Sequence, residues 1–152
     1  MTKEKFSDLI LECEQTMYRV SMSMLRNESD CEDAVQTAIL AAYEKLYTLR
    51  REEYFKTWLI RILINVCNKQ LKFRSRHTEL NDEHEAKSTD TSSDVRYAIE
   101  KLPEKIRQAV VLYYIEGFSV GEVKQIMKIP EGTVKSRLAK GRELLREELK
   151  ER

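Results

Sequence analysis

Residues that interrupt helices are scarce in this sequence of 152 residues, which contains only 4 Gly and 2 Pro. Hydrophobic residues make up 41% of the chain and charged residues 35%, with long stretches that carry no turn signal. Few breakers together with many Leu, Ile, Glu and Lys are typical of an all-helical protein. We therefore expect an all-α fold.

Long apolar runs and metal-ligand patterns are also missing. No segment has the apolar length needed to cross a membrane, and the acidic N-terminus lacks the apolar core of a secretory signal. Cys13, Cys31 and Cys67 form no Cys-x-x-Cys pair, and His77 and His84 add no ligand-like spacing. We expect reduced thiols in helices, no metal, no cofactor, no membrane insertion and a cytoplasmic protein.

The net formal charge of +1 conceals a segregation of charge along the chain. Residues 1–44 carry 4 basic and 9 acidic side chains, whereas residues 45–76 carry 9 basic and 2 acidic ones. Residues 77–94 carry 1 basic and 6 acidic side chains, and residues 95–152 carry 13 basic and 9 acidic ones. Two basic blocks separated by an acidic one indicate two surfaces that face nucleic acid. Solvated helix faces explain each block singly but explain the segregation less well.

The acidic segment 77–94 also marks the predicted domain boundary. It has no apolar periodicity and is rich in Ser, Thr, Asp and Glu, which predicts a flexible linker. The linker divides the chain into two small helical domains, at residues 1–76 and 95–152, each with a modest core.

In the first domain, residues 5–25 predict one or two helices, and the next helix has a readable start. Ser29 followed by Glu32 fits a capping box, in which each side chain satisfies a free backbone N–H. Apolar residues then recur at helical spacing and predict a core face, from Cys31 to Leu46. The opposite face combines an acid and an amide with two apolar side chains, which suggests a protein interface: Asp33, Gln36, Leu40 and Tyr43. We name the helix that is predicted to start near Ser29 α2 and call these four residues the α2 stripe.

A further helix is predicted to begin near Phe55. Its core face is expected to contain Leu59, Ile62, Leu63 and Val66, widened by Ile60 and Cys67. The other side collects cations, amides and an aromatic ring, a combination suited to phosphates and unstacked bases. We name this helix α3 and call the five principal members of this side the α3 polar face: Trp58, Arg61, Asn65, Lys69 and Lys72. Packing of Trp58 against the preceding helix is an alternative of nearly equal weight, and both can hold at once.

The second domain has the sequence pattern of a helix-turn-helix. A helix ending at Gly117 is followed by a capping box, Ser119 with Glu122, and by a helix that runs through Met127. Pro130 then opens a basic helix towards Leu149, and this arrangement predicts DNA binding. Eight residues of this recognition helix are candidate DNA contacts, which we call the recognition face: Gly132, Thr133, Lys135, Ser136, Arg137, Ala139, Lys140 and Arg142.

The residue order within these segments is more specific than the helix-turn-helix pattern alone. The run Pro130–Leu138 with Lys140–Arg142 closely resembles the recognition helix of sigma region four, and Leu102–Arg107 and Tyr114–Ser119 resemble the same domain. The run from Asp30 to Gln36 is similar to the polymerase-clamp-binding helix of sigma region two, and the run from Phe55 to Asn65 is similar to its minus-10 helix. On these matches the chain resembles bacterial sigma factors of the extracytoplasmic-function (ECF) type.

The resemblance implies a promoter-recognition subunit of RNA polymerase that is not itself an enzyme. It implies that the α2 stripe docks on the clamp of the polymerase core and that the α3 polar face helps to melt the minus-10 element. The recognition face would read the minus-35 element, with the polymerase flap as a second contact of the core. It further implies an anti-sigma factor as regulator and action at the nucleoid.

Two other functions remain as alternatives. A free-standing helix-turn-helix regulator would need a symmetric dimer interface and usually an effector domain, and the sequence indicates neither. An adaptor that binds polymerase but not DNA would have a degraded recognition helix, which the five basic residues between Gly132 and Arg146 argue against.

Overall fold

The computed structural model describes residues 1–77 and 94–150, in which every regular element is helical. The chain divides into two compact units, Met1–Glu85 and Ala86–Arg152. The all-α fold in two helical units is therefore confirmed. The predicted linker 77–94 lies outside the described residues except for its ends, where His77 closes one helix and Asp94 begins the next.

The first unit is built from three helices, α1 (Lys3–Leu25), α2 (Glu28–Glu44) and α3 (Phe55–His77). Each of the three packs against both of the others. The helix α1 is a single helix, opened by the Thr2 side chain, which accepts from the Lys5 N–H, and closed by Arg26 in the left-handed region (φ 63°). Two short 3-10 turns, Leu46–Thr48 and Glu52–Tyr54, connect α2 to α3.

The predicted capping box at Ser29 and Glu32 is wrong. Asn27 caps α2 instead: its backbone is extended, and its side-chain oxygen accepts from the Asp30 N–H at 2.8 Å. Arg74 of α3 explains the choice, because its guanidinium lies 2.6 Å from Asp30 Oδ2 and 3.2 Å from the Leu25 carbonyl oxygen. This contact stabilises the turn between α1 and α2. The helix α2 therefore begins at Glu28, two residues before the start that a cap at Ser29 predicts.

The buried face of α3 differs in part from the predicted one. Leu59, Ile60, Leu63 and Cys67 are buried as expected. The predicted Ile62 and Val66 are only half-buried, whereas Phe55 and Ile64, which the pattern left out, are buried. The buried arc is wider than a single stripe because α3 packs against both α1 and α2.

The second unit contains α4 (Asp94–Glu100), α5 (Glu104–Val110), α6 (Val120–Met127) and α7 (Glu131–Lys150). The helix α5 continues through a wide π-helical turn, Val111–Ile115, and the segment ends at Gly117, whose φ of +81° lies in the region that glycine tolerates. The helix α7 packs against α4, α5 and α6, so the recognition helix rests on the whole of this unit.

A buried arginine ties α4 to α5. Arg107 is 6% exposed, pairs with Glu104 and donates to the Leu102 carbonyl oxygen at 2.6 Å. Gln108, also buried, donates to the other carboxylate oxygen of Glu104 at 3.1 Å. Arg107 thus connects α5 to the preceding corner, and because both buried polar side chains are hydrogen-bonded, neither leaves an unsatisfied group there.

Candidate nucleic-acid and polymerase interfaces

The helix-turn-helix begins with the capping box that the sequence predicted. Ser119 Oγ accepts from the Glu122 N–H at 3.1 Å, and a Glu122 carboxylate oxygen accepts from the Ser119 N–H at 2.9 Å. The helix α6 closes on Lys128, which adopts the left-handed conformation at φ 58°. Buried Val123 and Ile126 of α6, together with Val134 and Leu138 of α7, form the apolar core between the two helices.

That core turns the recognition face outward. Six of its eight members are exposed, and Thr133 and Arg137 are half-buried. Two of its lysines make ion pairs within α7: Lys135 Nζ lies 3.2 Å from Glu131 Oε2, and Lys140 Nζ lies 3.8 Å from Glu143 Oε1. Exposed pairs of this kind are worth less than about 1 kcal/mol, so a phosphate can replace the carboxylate at small cost.

Gly132 lies in the first turn of α7 with no atom within 4 Å of the place where a Cβ would stand. No packing contact in the described chain therefore requires a glycine at this position. A bare backbone at a helix N-terminus allows close approach by an anion such as phosphate.

Arg142 of the recognition face has a partner that the sequence did not reveal. Its Nη1 donates to the hydroxyl oxygen of Tyr114, in the π-helical turn, at 2.9 Å. The two residues are 28 positions apart, and neither belongs to a repeating pattern that would pair them. No signal in a single sequence could have identified this contact.

The α3 polar face is largely exposed and lies opposite the buried arc. Arg61, Asn65, Lys69 and Lys72 are exposed, whereas Trp58 is half-buried. The indole N–H of Trp58 donates to Thr48 Oγ1 at 3.0 Å, and its ring lies 5.6 Å from that of Phe55. Trp58 therefore packs on the segment that precedes α3 and still borders the polar face.

The segment between α2 and α3 supplies further residues that the sequence analysis missed. Tyr47 is 85% exposed and Tyr54 is 54% exposed, and the guanidinium carbon of Arg51 lies 5.8 Å from the Tyr54 ring centre. The Trp58–Thr48 hydrogen bond places this segment beside the α3 polar face. Aromatic residues interspersed with Lys and Arg between positions 45 and 54 were the signal available in the sequence.

The α2 stripe is exposed along its whole length. Asp33 and Gln36 are exposed, and Leu40 has 66% of its surface exposed. Tyr43 is exposed too, although its ring packs edge-on against Phe6 of α1, with the ring centres 5.3 Å apart. The stripe thus presents an acid, an amide and two apolar side chains at the surface of the unit.

The three cysteines lie in the core of the first unit as free thiols. Burial raises the pKa of the Cys31 thiol, although the hydrogen bond with Ser21 Oγ (2.7 Å) works in the opposite direction. Burial likewise raises the pKa of Cys13, while nearby Lys56 lowers it. Within residues 1–77 and 94–150, no cluster of His, Cys, Asp or Glu has the geometry of a metal site. In the same two ranges, no helix combines the length and apolarity of a membrane span.

Comparison with known families accounts for most of the chain. Residues 9–77 match the family described as sigma-70 region 2, and residues 92–145 match the family described as sigma-70, region 4. These matches cover α3 with its polar face and the complete helix-turn-helix core.

Relatives match across both regions. The chain is 29% identical to the ECF RNA polymerase sigma factor SigW of Bacillus subtilis, over 98% of this chain and 91% of the relative. It is 30% identical to the ECF sigma factor SigM of Mycobacterium tuberculosis, over 90% of this chain and 73% of the relative. It is 31% identical to the ECF sigma-E factor of Haemophilus influenzae, over 78% and 74% of the two chains.

Solved structures share the fold. The sigma factor RpoE, in its complex with the anti-sigma factor NepR from Bartonella quintana, superposes with a TM-score of 0.85 at 26% identity, over 97% of this chain and 98% of that chain. CnrH, in complex with the cytosolic domain of CnrY, gives a TM-score of 0.76 at 24% identity, over 98% and 90% of the two chains. The chain belongs to the ECF subfamily of the sigma-70 family of RNA polymerase sigma factors, proteins that bind RNA polymerase and promoter DNA to direct transcription initiation.

Proposed function

We propose that this sigma factor divides promoter recognition between its two units, with strand opening assigned to the α3 polar face and minus-35 reading assigned to the recognition face. The observation that carries the proposal is the presence of two exposed basic faces on two separate compact units. A function with a single DNA-binding surface would account for only one of these two basic faces.

On the first unit, Asn65 is the residue assigned to an unpaired base of the minus-10 element. Its amide carries both donors and acceptors for a base edge, and Arg61 and Lys69 supply charge for the adjoining phosphates. Trp58, anchored by Thr48, and exposed Tyr54 offer aromatic surface beside it. Extracting a base costs a few kcal/mol, which stacking and hydrogen bonds of this kind can offset.

On the second unit, the N-terminal half of α7 enters the major groove at the minus-35 element. Lys135 and Lys140 are exposed, their ion pairs are exposed and weak, and Gly132 leaves the backbone open to a phosphate. Ser136 and Arg137 lie on the same helix within reach of the groove walls.

The α2 stripe docks on the clamp of the polymerase core, and the second unit contacts the flap. Exposed Leu40 beside Asp33 offers an apolar contact next to a charge, and neither side chain is needed in the core of the unit. We further propose that the chain performs no catalysis itself, that it acts in the cytoplasm at the nucleoid, and that an anti-sigma factor restrains it. The RpoE described above is in complex with the anti-sigma factor NepR.

Two variants test the division of labour. The full chain is reconstituted with core RNA polymerase on a promoter that the wild-type holoenzyme selects from a random-sequence duplex pool. Asn65→Ala should leave closed-complex formation intact and reduce strand opening, seen as weaker permanganate reactivity of unpaired thymines. Lys135→Ala should weaken binding itself: by about 1–3 kcal/mol for the correct base if it reads a base, or with a salt dependence lower by about one unit if it contacts a phosphate.

A pre-melted template separates the two steps. It should rescue Asn65→Ala and leave Lys135→Ala impaired. Lys124→Ala, which removes an exposed lysine from α6 outside the recognition face, serves as the matched control and should behave as wild type. Identical behaviour of Asn65→Ala and Lys135→Ala on duplex and pre-melted templates would refute the proposed division.

A further inference from the structure

The hydrogen bond between Tyr114 and Arg142 joins two exposed side chains. Tyr114 is 48% exposed, Arg142 is exposed, and the donor–acceptor distance is 2.9 Å. An exposed contact between a long cation and a phenol adds little to the stability of the unit, since both groups are well solvated when apart. Its main physical effect is to restrict the guanidinium to one orientation.

The π-helical turn brings Tyr114 to this position. The Glu116 N–H donates to the Val111 carbonyl oxygen at 2.9 Å, an i to i−5 bond that widens the helix by one residue. Such single wide turns are rare and occur frequently at functional sites. Val111 and Leu112 are buried in this turn, whereas Tyr114 and Ile115 project to the surface.

Close packing of α7 on α5 completes the geometry. Gly141, next to Arg142, is buried so tightly that a Cβ would stand 2.6 Å from Val110 Cγ2 and 3.3 Å from Ile106 Cγ2. The absence of a side chain at 141 therefore lets α7 approach the helix that carries Tyr114. Residue 142 is the first position beyond this contact.

The place of Arg142 along α7 indicates its target. It lies 11 residues after Glu131, the first residue of the helix, or about 16 Å along the axis. In helix-turn-helix proteins the N-terminal residues of the recognition helix contact base edges, so a residue this far along faces the DNA backbone instead. Arg142 also lies seven residues after Lys135, on the same side of the helix.

We propose that Arg142 binds a backbone phosphate flanking the minus-35 element and that Tyr114 is its positioning residue. A guanidinium has five N–H donors, so one can bond to the phenol while others remain for two phosphate oxygens. The proposal rests on the proposed function, because it requires that the recognition face lies in the groove. It adds a residue outside the recognition helix to the DNA-binding apparatus and predicts a contact that is independent of base sequence.

The test uses the full chain in the reconstituted holoenzyme and the selected promoter duplex described above. Binding is measured for Tyr114→Phe, Arg142→Ala and the double variant at several salt concentrations. Tyr114→Phe should weaken binding about two- to tenfold, the range expected for one hydrogen bond, without changing the salt dependence, since no charge is lost. Arg142→Ala should weaken binding further and lower the salt dependence by about one unit. The double variant should match Arg142→Ala.

Methylphosphonate substitution locates the contact. Neutralising single phosphates of the duplex should identify one flanking position at which wild type loses affinity and Arg142→Ala does not. Lys135→Ala should keep its sensitivity at that position, so loss of the Lys135 contact and loss of the Arg142 phosphate contact are distinguished. Tyr113→Phe removes the same atom from the adjacent ring, 4.8 Å away, and is the matched control.

The inference is overturned if Tyr114→Phe binds as wild type, or if it weakens binding equally with and without Arg142. It is also overturned if no flanking phosphate becomes dispensable in Arg142→Ala. Failure of the holoenzyme to select any promoter would instead refute the proposed function itself.

Discussion

Two glycines of the recognition helix should respond in opposite ways when they are replaced by alanine. At Gly141 the new methyl would stand 2.6 Å from Val110 Cγ2, and Val110 is 1% exposed in the core, so something must shift. Overpacking of this kind costs about 1–3 kcal/mol. The helix propensity gained by removing a glycine offsets at most about 1 kcal/mol of that cost. Since a 2.6 Å approach to a buried methyl group belongs in the upper part of the overpacking range, at about 2–3 kcal/mol, a net loss of about 1–2 kcal/mol in the free energy of unfolding is expected.

At Gly132 the same change meets no atom within 4 Å. Its effect on the free energy of unfolding should be neutral or favourable by a few tenths of a kcal/mol, because the position lies in the first turn of α7 and helix propensity contributes only part of its full value there. Promoter binding should nevertheless weaken, since the methyl group would occupy the space assigned to a phosphate.

The two units can be followed separately in one sample. Trp58 is the only tryptophan and lies in the first unit, so its fluorescence reports that unit, whereas circular dichroism reports the helices of both. For a domain of this size 1 kcal/mol corresponds to a shift of about 4–8 °C. Gly141→Ala should therefore lower the circular dichroism midpoint of the second unit by at least about 4 °C and leave the Trp58 transition in place. An unchanged or higher midpoint for Gly141→Ala would refute the close packing of α7 on α5.

Two further predictions concern the first unit. Asp33→Arg should reduce co-purification with core polymerase and leave the thermal unfolding curve nearly unchanged, because Asp33 is exposed on the α2 stripe; a large loss of stability would show that the stripe is structural. The stability of the unit should fall as the pH rises above about 8.5, the ordinary pKa of a thiol. Burial raises the pKa of Cys31 in the folded state, so the unfolded chain loses its proton first and is favoured at alkaline pH. Chemical denaturation of Cys31→Ala should show a smaller dependence over the same pH range, and an identical dependence would contradict this assignment.

Local chemistry made the helix-turn-helix predictable from sequence. The capping box of Ser119 and Glu122 depends on residues three positions apart, and Gly117 supplies the positive φ at the preceding helix end. Both signals act over a single turn of chain. The apolar spacing of Val134 and Leu138 was likewise sufficient to place the buried side of α7 and hence the recognition face opposite to it.

Long-range contacts explain what the sequence could not show. Ser29 and Asn27 are both acceptable helix caps, and the choice of Asn27 coincides with a contact from Arg74, which lies 44 residues beyond Asp30. The extra buried residues of α3, Phe55 and Ile64, follow from its packing against two helices at once. Propensity and periodicity describe one helix at a time and contain no information about a second neighbour.

The ion pairs of the recognition face explain why DNA binding should depend on the polymerase. Lys135 and Lys140 each lie beside a carboxylate of their own helix. In the proposed minus-35 contact, each of these pairs must open when DNA is bound. The opening costs less than about 1 kcal/mol per pair because all four side chains are more than half exposed. That cost is small against a base contact of about 1–3 kcal/mol, so a correctly positioned duplex is still bound. The cost of opening a pair is comparable to the free energy gained from a loose phosphate contact. The opening cost therefore removes a larger fraction of the binding free energy for random DNA than for the promoter. Residues 1–44 carry 4 basic and 9 acidic side chains and add no attraction for DNA. The polymerase core must therefore supply the positioning that turns these modest contacts into promoter recognition.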